Sequence, residues 1–410
     1  MSGASKTVRT TCPYCGVGCG VKVTVNPDGG ARVEGDEAHP ANYGRLCSKG
    51  AALGETLSLD DRLLYPEIDG RRVSWDVALD AVATGFLRVL AEHGPDAVAF
   101  YVSGQLLTED YYVANKLMKG GLGSANIDTN SRLCMASSVA GHQRAFGSDT
   151  VPGCYEDLEE ADLVVLVGSN LAWCHPVLYQ RILAARERRA GKPKLVVIDP
   201  RRTATCDAAA THLPLRPGSD TALFNGLLVH LYRQDGLDSE FLENHVAGFW
   251  PAYRAAKGVA PNVPTVAAKT GLPESAIAEF YGLWGRTRKV VTVYSQGVNQ
   301  SAHGSDKVNA ILNCHLATGR IGQPGMGPFS VTGQPNAMGG REAGGLANML
   351  AAHMELDDPR HRQLVRRYWD APRLAERAGL KAVDLFRAIG EGRIKAVWIV
   401  ATNPVVSLPE

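Results

Sequence analysis

Four cysteines near the amino terminus constrain this chain more than any other feature. Cys12, Cys15, Cys19 and Cys47 follow the spacing C-x2-C-x3-C-x27-C, with Gly16, Gly18 and Gly20 among them. Three thiolates on one tight loop and a fourth returning from a distance can hold a cubane iron–sulfur cluster. Glycines let the backbone turn sharply and bring N–H groups close to the cluster sulfurs. A structural zinc site and unrelated thiols are the competing readings. Zinc sites more often show two C-x2-C pairs, and the second pair is missing here. A disulfide framework does not fit a large chain with nine cysteines, an odd number. The pattern points to electron transfer.

A chain of 410 residues can bury a large core and divide into two or more domains. Its 43 basic and 42 acidic residues balance, so neither a nucleic acid nor a membrane surface is expected as partner. Its 44 glycines suit an α/β protein with many ligand-binding turns. Met1–Thr11 is polar, with only Lys6 and Arg9 as charges and no apolar leader core. No stretch reaches transmembrane length. The expected location is the cytoplasm, where free thiols are stable.

Residues 1–66 read as a small cluster module. Gly20–Val25 alternates as a strand, Asp28-Gly29-Gly30 signals a turn, and Arg32–Glu34 supplies the return. Cys47-Ser48-Lys49-Gly50 closes the module, with a helix expected from Ala51. Residues 67–410 repeat another pattern, short apolar runs that end in polar or glycine-containing tips. Ala97–Val102 precedes Ser103-Gly104-Gln105, and Leu163–Val167 precedes Gly168-Ser169-Asn170. Leu195–Ile198 leads to Asp199-Pro200-Arg201-Arg202, and Val290–Tyr294 to Ser295-Gln296-Gly297. Ala396–Val400, expected as a buried strand, leads to Ala401-Thr402-Asn403-Pro404. Amphipathic stretches such as Val77–Glu92 and Pro176–Ala190 have helical length. Strands alternating with helices imply parallel sheets, whose ligands bind beyond the carboxyl ends of the strands. None of the tips is a full G-x-G-x-x-G fingerprint, and singly each is an ordinary turn. Five of them beside a metal cluster point to a large polar cofactor. Residues 355–380 are charged and read as a solvated helical surface. An α/β unit would continue past Asn403-Pro404, so the sequence reads as the amino-terminal portion of a longer protein.

The cluster quartet, Cys47-Ser48-Lys49-Gly50, Ser131-Arg132-Leu133-Cys134, Gly168-Ser169-Asn170 and Asp199-Pro200-Arg201 together resemble the molybdopterin oxidoreductases. Within that family the likeness is greatest to cytoplasmic assimilatory nitrate reductases, through the stretch from Ser295 to Met354 and its Gly333-Gln334-Pro335-Asn336-Ala337-Met338-Gly339-Gly340-Arg341-Glu342. The resemblance implies a bis-molybdopterin guanine dinucleotide cofactor carrying molybdenum, a 4Fe-4S cluster on Cys12, Cys15, Cys19 and Cys47, and a fold lacking its carboxyl-terminal cofactor-binding domain.

By the same resemblance Cys134 supplies the protein ligand to molybdenum, a role suited to a soft thiolate. Formate dehydrogenases of this kind usually place a histidine next, whereas this chain has Met135, as in nitrate reductases. Arg341 matches a position near the metal, where a guanidinium fork can hold a planar anion. Met338 and Gln105 would line that pocket. Lys49 matches a lysine between cluster and pterin. Gly168, Ser169 and Asn170 resemble a turn that meets cofactor phosphates and guanosine. Asp199 and Arg201 suit a guanine or ribose edge and a phosphate. Arg216, Gly218 and Asp220 resemble a guanine-nucleotide loop, and Asn130, Gln296, Gly297, Asn299 and Asn403 are further cofactor candidates. Cys154, Cys174, Cys206 and Cys314 read as buried thiols, and His175 as a turn residue without a catalytic role.

The implied reaction is reduction of nitrate to nitrite by two-electron oxygen-atom transfer, with electrons entering through the cluster from a ferredoxin, a flavodoxin or an NADH-linked reductase. A formate dehydrogenase of the same fold and a non-catalytic electron-transfer subunit are the alternatives.

Overall fold

A computed structural model describes residues 5–27 and 30–408. Two compact units emerge, Met1–Ala51 with Cys134–Gly333, and Ala52–Leu133 with Gln334–Glu410. This division differs from a boundary at residue 66. The cysteine module shares its unit with residues 134–333 because polar side chains tie the two together. Arg181, fully buried, donates to the carbonyls of Pro40 and Ala41 at 2.7 and 3.0 Å. It also pairs with Glu156 and Glu159 at 3.0 and 2.6 Å.

Along the chain the strands are β1 (Lys6–Thr11), β2 (Gly20–Val25), β3 (Ala31–Gly35), β4 (Glu67–Ile68), β5 (Arg71–Arg72), β6 (Val98–Val102) and β7 (Ile127–Thr129). Then follow β8 (Leu163–Val167), β9 (Lys194–Ile198), β10 (Thr211–Leu213), β11 (Val290–Tyr294), β12 (Gly327–Ser330) and β13 (Ala396–Val400). All five predicted apolar runs are strands. In the cysteine module β1, β2 and β3 form an antiparallel meander. Asp28 and Gly29 of the expected turn lie outside the described residues. The helix expected from Ala51 begins earlier, at Ser48, and gives way at Ala52 to a 3-10 turn.

The first unit is built on a parallel five-stranded sheet of order β10-β9-β8-β11-β12. Its central strands are continuous apolar runs because both faces are covered. Every residue of Leu163–Val167 is buried. Helices Asp220–Arg233, Glu274–Arg286 and Gly304–Ala317 supply Leu223, Phe224, Trp284 and Ile311 to the core. Successive strands run outward from β8 to β10 on one side and from β11 to β12 on the other. The order reverses between β8 and β11, where a parallel sheet opens a crevice at its carboxyl edge.

The second unit holds a smaller parallel sheet, β13-β6-β7, and the hairpin β4-β5. Helix Trp75–His93 starts at a Ser74 N-cap, whose hydroxyl accepts from the Val77 amide. The expectation that Ala396–Val400 is buried fails at its centre. Trp398 and Ile399 are 45% and 40% exposed. Among the described residues β13 pairs only with β6, so it is an edge strand with an open side. Residues 355–380 include the helix Pro359–Trp369, whose charges are solvated while Val365 and Trp369 face inward.

Candidate cofactor sites

Cys12, Cys15, Cys19 and Cys47 of the first unit converge on one cavity, lined also by Val17 and Leu46. The Cys12 amide donates to the Cys19 carbonyl at 2.8 Å, which closes the loop on itself. Gly18, at φ +70°, makes the turn before Cys19. Asn42, wholly buried, accepts from the Gly20 amide and donates to the carbonyls of Gly20 and Arg45. It fixes the loop against the segment that returns Cys47. The Tyr155 hydroxyl reaches the Gly16 and Val17 carbonyls at 3.2 and 3.0 Å.

Burial pushes the Cys12 and Cys15 thiols upward, and Cys19 to about 12, with neighbouring cysteines adding to the shift. Thiols crowded this way ionise together only against positive charge, which an iron–sulfur core supplies. Among the described residues no three His, Cys, Asp or Glu side chains are grouped to hold a single metal ion. A cavity ringed by four thiols fits an iron–sulfur cluster. Lys49 is exposed, and its charge draws down Cys12 and Cys15 as well as buried His175.

Eleven of the predicted cofactor residues lie after strands of the five-stranded sheet. Gly168, Ser169 and Asn170 follow β8, Asp199 and Arg201 follow β9, and Arg216, Gly218 and Asp220 follow β10. Gln296, Gly297 and Asn299 follow β11. The strands are parallel, so these tips share one edge.

At the reversal point the two glycines touch. The Gly297 amide donates to the Gly168 carbonyl at 3.0 Å. A Cβ on Gly297 would stand 2.5 Å from Gly168 Cα, and Gly168 itself has φ +52°. Only two glycines allow the tips to close into a flat floor. The Ser169 hydroxyl and the His175 Nδ1 are buried without partners. Orphaned polar atoms beside a side-chain-free floor fit a polar cofactor at this edge. Gly297→Ala is expected to force the tips apart at a cost of roughly 1–3 kcal/mol. Thermal unfolding and bound molybdenum per chain, both lower than wild type, are the measurements that check it.

Cys134 meets the same edge. Gln296 Nε2 donates to its Sγ at 3.3 Å, and Thr332 Oγ1 lies 3.8 Å away. Asn299 Nδ2 donates to the Cys134 carbonyl. The helix Ser131–Phe146 is interrupted at Met135, whose φ −141° and ψ 18° are not helical. The kink falls next to the thiol and frees Cys134 from a regular helical path. Some of the predicted contact residues also have partners within the protein. Asp220 forms a buried 2.8 Å ion pair with Lys307, and Arg216 donates to the Ala268 carbonyl at 2.9 Å. Arg201 is exposed, and its amide is held by Asp199 Oδ1.

In the second unit Gln105, Asn130 and Asn403 follow β6, β7 and β13 at one edge of the small sheet. Asn130 Oδ1 accepts from the Gly104 amide at 2.8 Å. The segment bearing Met338 and Arg341 is anchored there, the Asn336 amide donating to the Gly104 carbonyl at 3.3 Å. Helix Ala337–Glu342 then buries Arg341 and leaves Met338 47% exposed. Behind it Lys119 is fully buried. It donates to the carbonyls of Gly344, Leu346 and Met349.

Sequence reasoning missed Lys119, Tyr155 and Asn42, each placed by contacts far along the chain, and gave His175 no more than a place in a turn. It also expected four buried spare thiols. Cys206 and Cys314 are buried, but Cys154 and Cys174 are exposed. Both flank short helices, Cys154 before Tyr155–Glu160 and Cys174 at the end of Leu171–Cys174, where backbone ends reach the surface.

Residues 62–410 match the family described as molybdopterin oxidoreductase, and residues 5–58 match its Fe4S4 domain. The chain belongs to the molybdopterin oxidoreductase family. A "Nitrate reductase" of Klebsiella oxytoca is 57% identical over 98% of this chain and 45% of its own length. A "Periplasmic nitrate reductase" of Desulfovibrio desulfuricans is 37% identical over 98% of the chain and 55% of its own length. The solved structure of acetylene hydratase from Pelobacter acetylenicus is 25% identical, with a TM-score of 0.66 over 75% of this chain and 42% of that one. The chain thus spans about half the length of the curated relatives it matches. Family membership brings a molybdopterin cofactor and an Fe4S4 cluster.

Proposed function

We propose that this chain is the cluster-bearing and metal-ligating portion of a molybdenum nitrate reductase. Nitrate, two electrons and two protons give nitrite and water. The observation that carries the reading is the Cys134 thiol at the reversal point of the five-stranded sheet, followed by Met135 and not by a proton-accepting histidine. The relatives' names support it.

The molybdenum, carried by the bis-molybdopterin guanine dinucleotide form of the cofactor, supplies the oxygen-atom transfer. The protein's residues position and tune. Cys12, Cys15, Cys19 and Cys47 hold the entry cluster. Lys49 contributes positive charge between that cluster and the pterin. Gly168 and Gly297 give the cofactor a floor without side chains, and Ser169 offers a hydroxyl. Cys134 ligates the metal, with Gln296 donating to its sulfur. Arg341 draws in and orients the nitrate anion.

A cytoplasmic, assimilatory setting belongs to the same proposal and is supported by nine cysteines, none of them in a disulfide among the described residues. Its electron donor is a small carrier such as a ferredoxin or flavodoxin, or an NADH-linked reductase. No helix among the described residues is long and apolar enough to cross a membrane. The test is a reduced-dye assay on purified holoenzyme. Nitrate-dependent dye oxidation is expected, and formate turnover without nitrate turnover would replace this reading with the formate dehydrogenase one.

A further inference from the structure

His175 is 1% exposed, yet only one of its ring nitrogens has work in the protein. Nε2 lies 2.6 Å from the Thr332 carbonyl oxygen. A carbonyl only accepts, so Nε2 carries the proton and Nδ1 presents a lone pair. That Nδ1 is buried with no partner. Leaving such an acceptor unpaired costs about 1–3 kcal/mol, so a donor is expected beside it.

Its surroundings say what kind of donor. Thr332, whose carbonyl the ring holds, turns its hydroxyl toward Cys134 Sγ at 3.8 Å. Pro176 and Val177, the next residues along the chain, line the four-cysteine cavity. Lys49 lies near enough for its charge to oppose protonation of the ring. Within the first unit, His175 thus connects the cluster side to the metal-ligand side.

We propose that His175 is a positioning residue whose Nδ1 accepts a hydrogen bond from an N–H of the pterin, between the four-cysteine site and Cys134. This rests on the cofactor assignments above. The two nitrogens can be separated by substitution. Asparagine places its amide near the Nδ1 position and cannot reach Thr332. Glutamine reaches the Thr332 carbonyl and leaves the Nδ1 position empty.

The experiment compares His175→Asn and His175→Gln holoenzymes by molybdenum and iron content and by the molybdenum(V) EPR signal. His175→Asn is expected to keep the wild-type signal. His175→Gln should keep its iron but shift that signal and retain molybdenum about 10-fold less tightly through dialysis, the scale of a lost outer-sphere partner. The reverse ranking would assign His175 to the Thr332 tether and overturn the inference, as would equal behaviour of the two variants, whether intact or impaired. Wild-type protein devoid of molybdenum would instead remove the functional reading, and this inference with it.

Discussion

Cys134→Ala is expected to abolish nitrate reduction while leaving the iron–sulfur EPR signal and about four irons per chain. The thiol sits beside the kink at Met135 and meets Gln296, which follows a strand at the carboxyl edge of the sheet. Its sulfur already accepts from Gln296 at 3.3 Å, an outer-sphere partner for a metal ligand. Loss of an outer-sphere partner of a metal typically costs about 10–100-fold in activity, and loss of a direct ligand should exceed that. The cysteine quartet lies on a separate loop of the same unit, with its own hydrogen bonds through Asn42 and Tyr155. The two centres should therefore fail independently. Nitrate turnover that survives in the alanine variant would refute the ligand assignment.

Lys119→Met should destabilise the second unit by about 3 kcal/mol or more, because three buried carbonyls lose their donor at about 1–3 kcal/mol each. The methionine chain is likewise unbranched and one atom shorter, so the aliphatic packing is largely kept while the ammonium is removed. The loop they leave unsupported, residues 344–349, directly follows the helix bearing Arg341. Arg132 also holds that loop, donating to Asn348 at 2.8 Å while paired with wholly buried Asp128. A fall in thermal unfolding temperature, with faster proteolysis in this loop, is the expected measurement. An unchanged unfolding temperature would show that water takes over the carbonyls.

The same lysine predicts a pH dependence. Burial pushes Lys119 from its ordinary 10.5 down to about 7, with Asp128 pulling it up and Arg132 pushing it down. The unfolded chain therefore holds this proton at pH values where the folded chain has released it. Between about 7 and 10.5 the unfolded state binds more protons, so this group's contribution to stability rises with pH. Below that window the folded state carries the full cost of a buried ammonium. The methionine variant should lack this rise, visible as a flatter profile of unfolding temperature against pH.

Much of the architecture was legible in the chain. The apolar runs became strands because short, mostly apolar runs bounded by turn formers have few other stable fates in an α/β unit. Edge position is different. Ala396–Val400 has the composition of a central strand, and only its pairing with β6 alone leaves Trp398 exposed. The ion pair of Asp220 with Lys307 was likewise not legible in the chain, because it forms only once two helices are packed.

What the sequence by itself determined is local. Cys12, Cys15 and Cys19 are separated by steps of three and four residues, so they stay close together whatever the local path. Cys134-Met135 and the polar strand tips carry their chemistry in adjacent residues. The tertiary structure decided which groups lose their water. Burial and long-range pairing set which tips share an edge, that Gly168 meets Gly297, that Lys119 is caged by carbonyls, and that His175 keeps one nitrogen without a partner. Desolvation depends on every element packed around an atom, and spacing along the chain does not encode that sum.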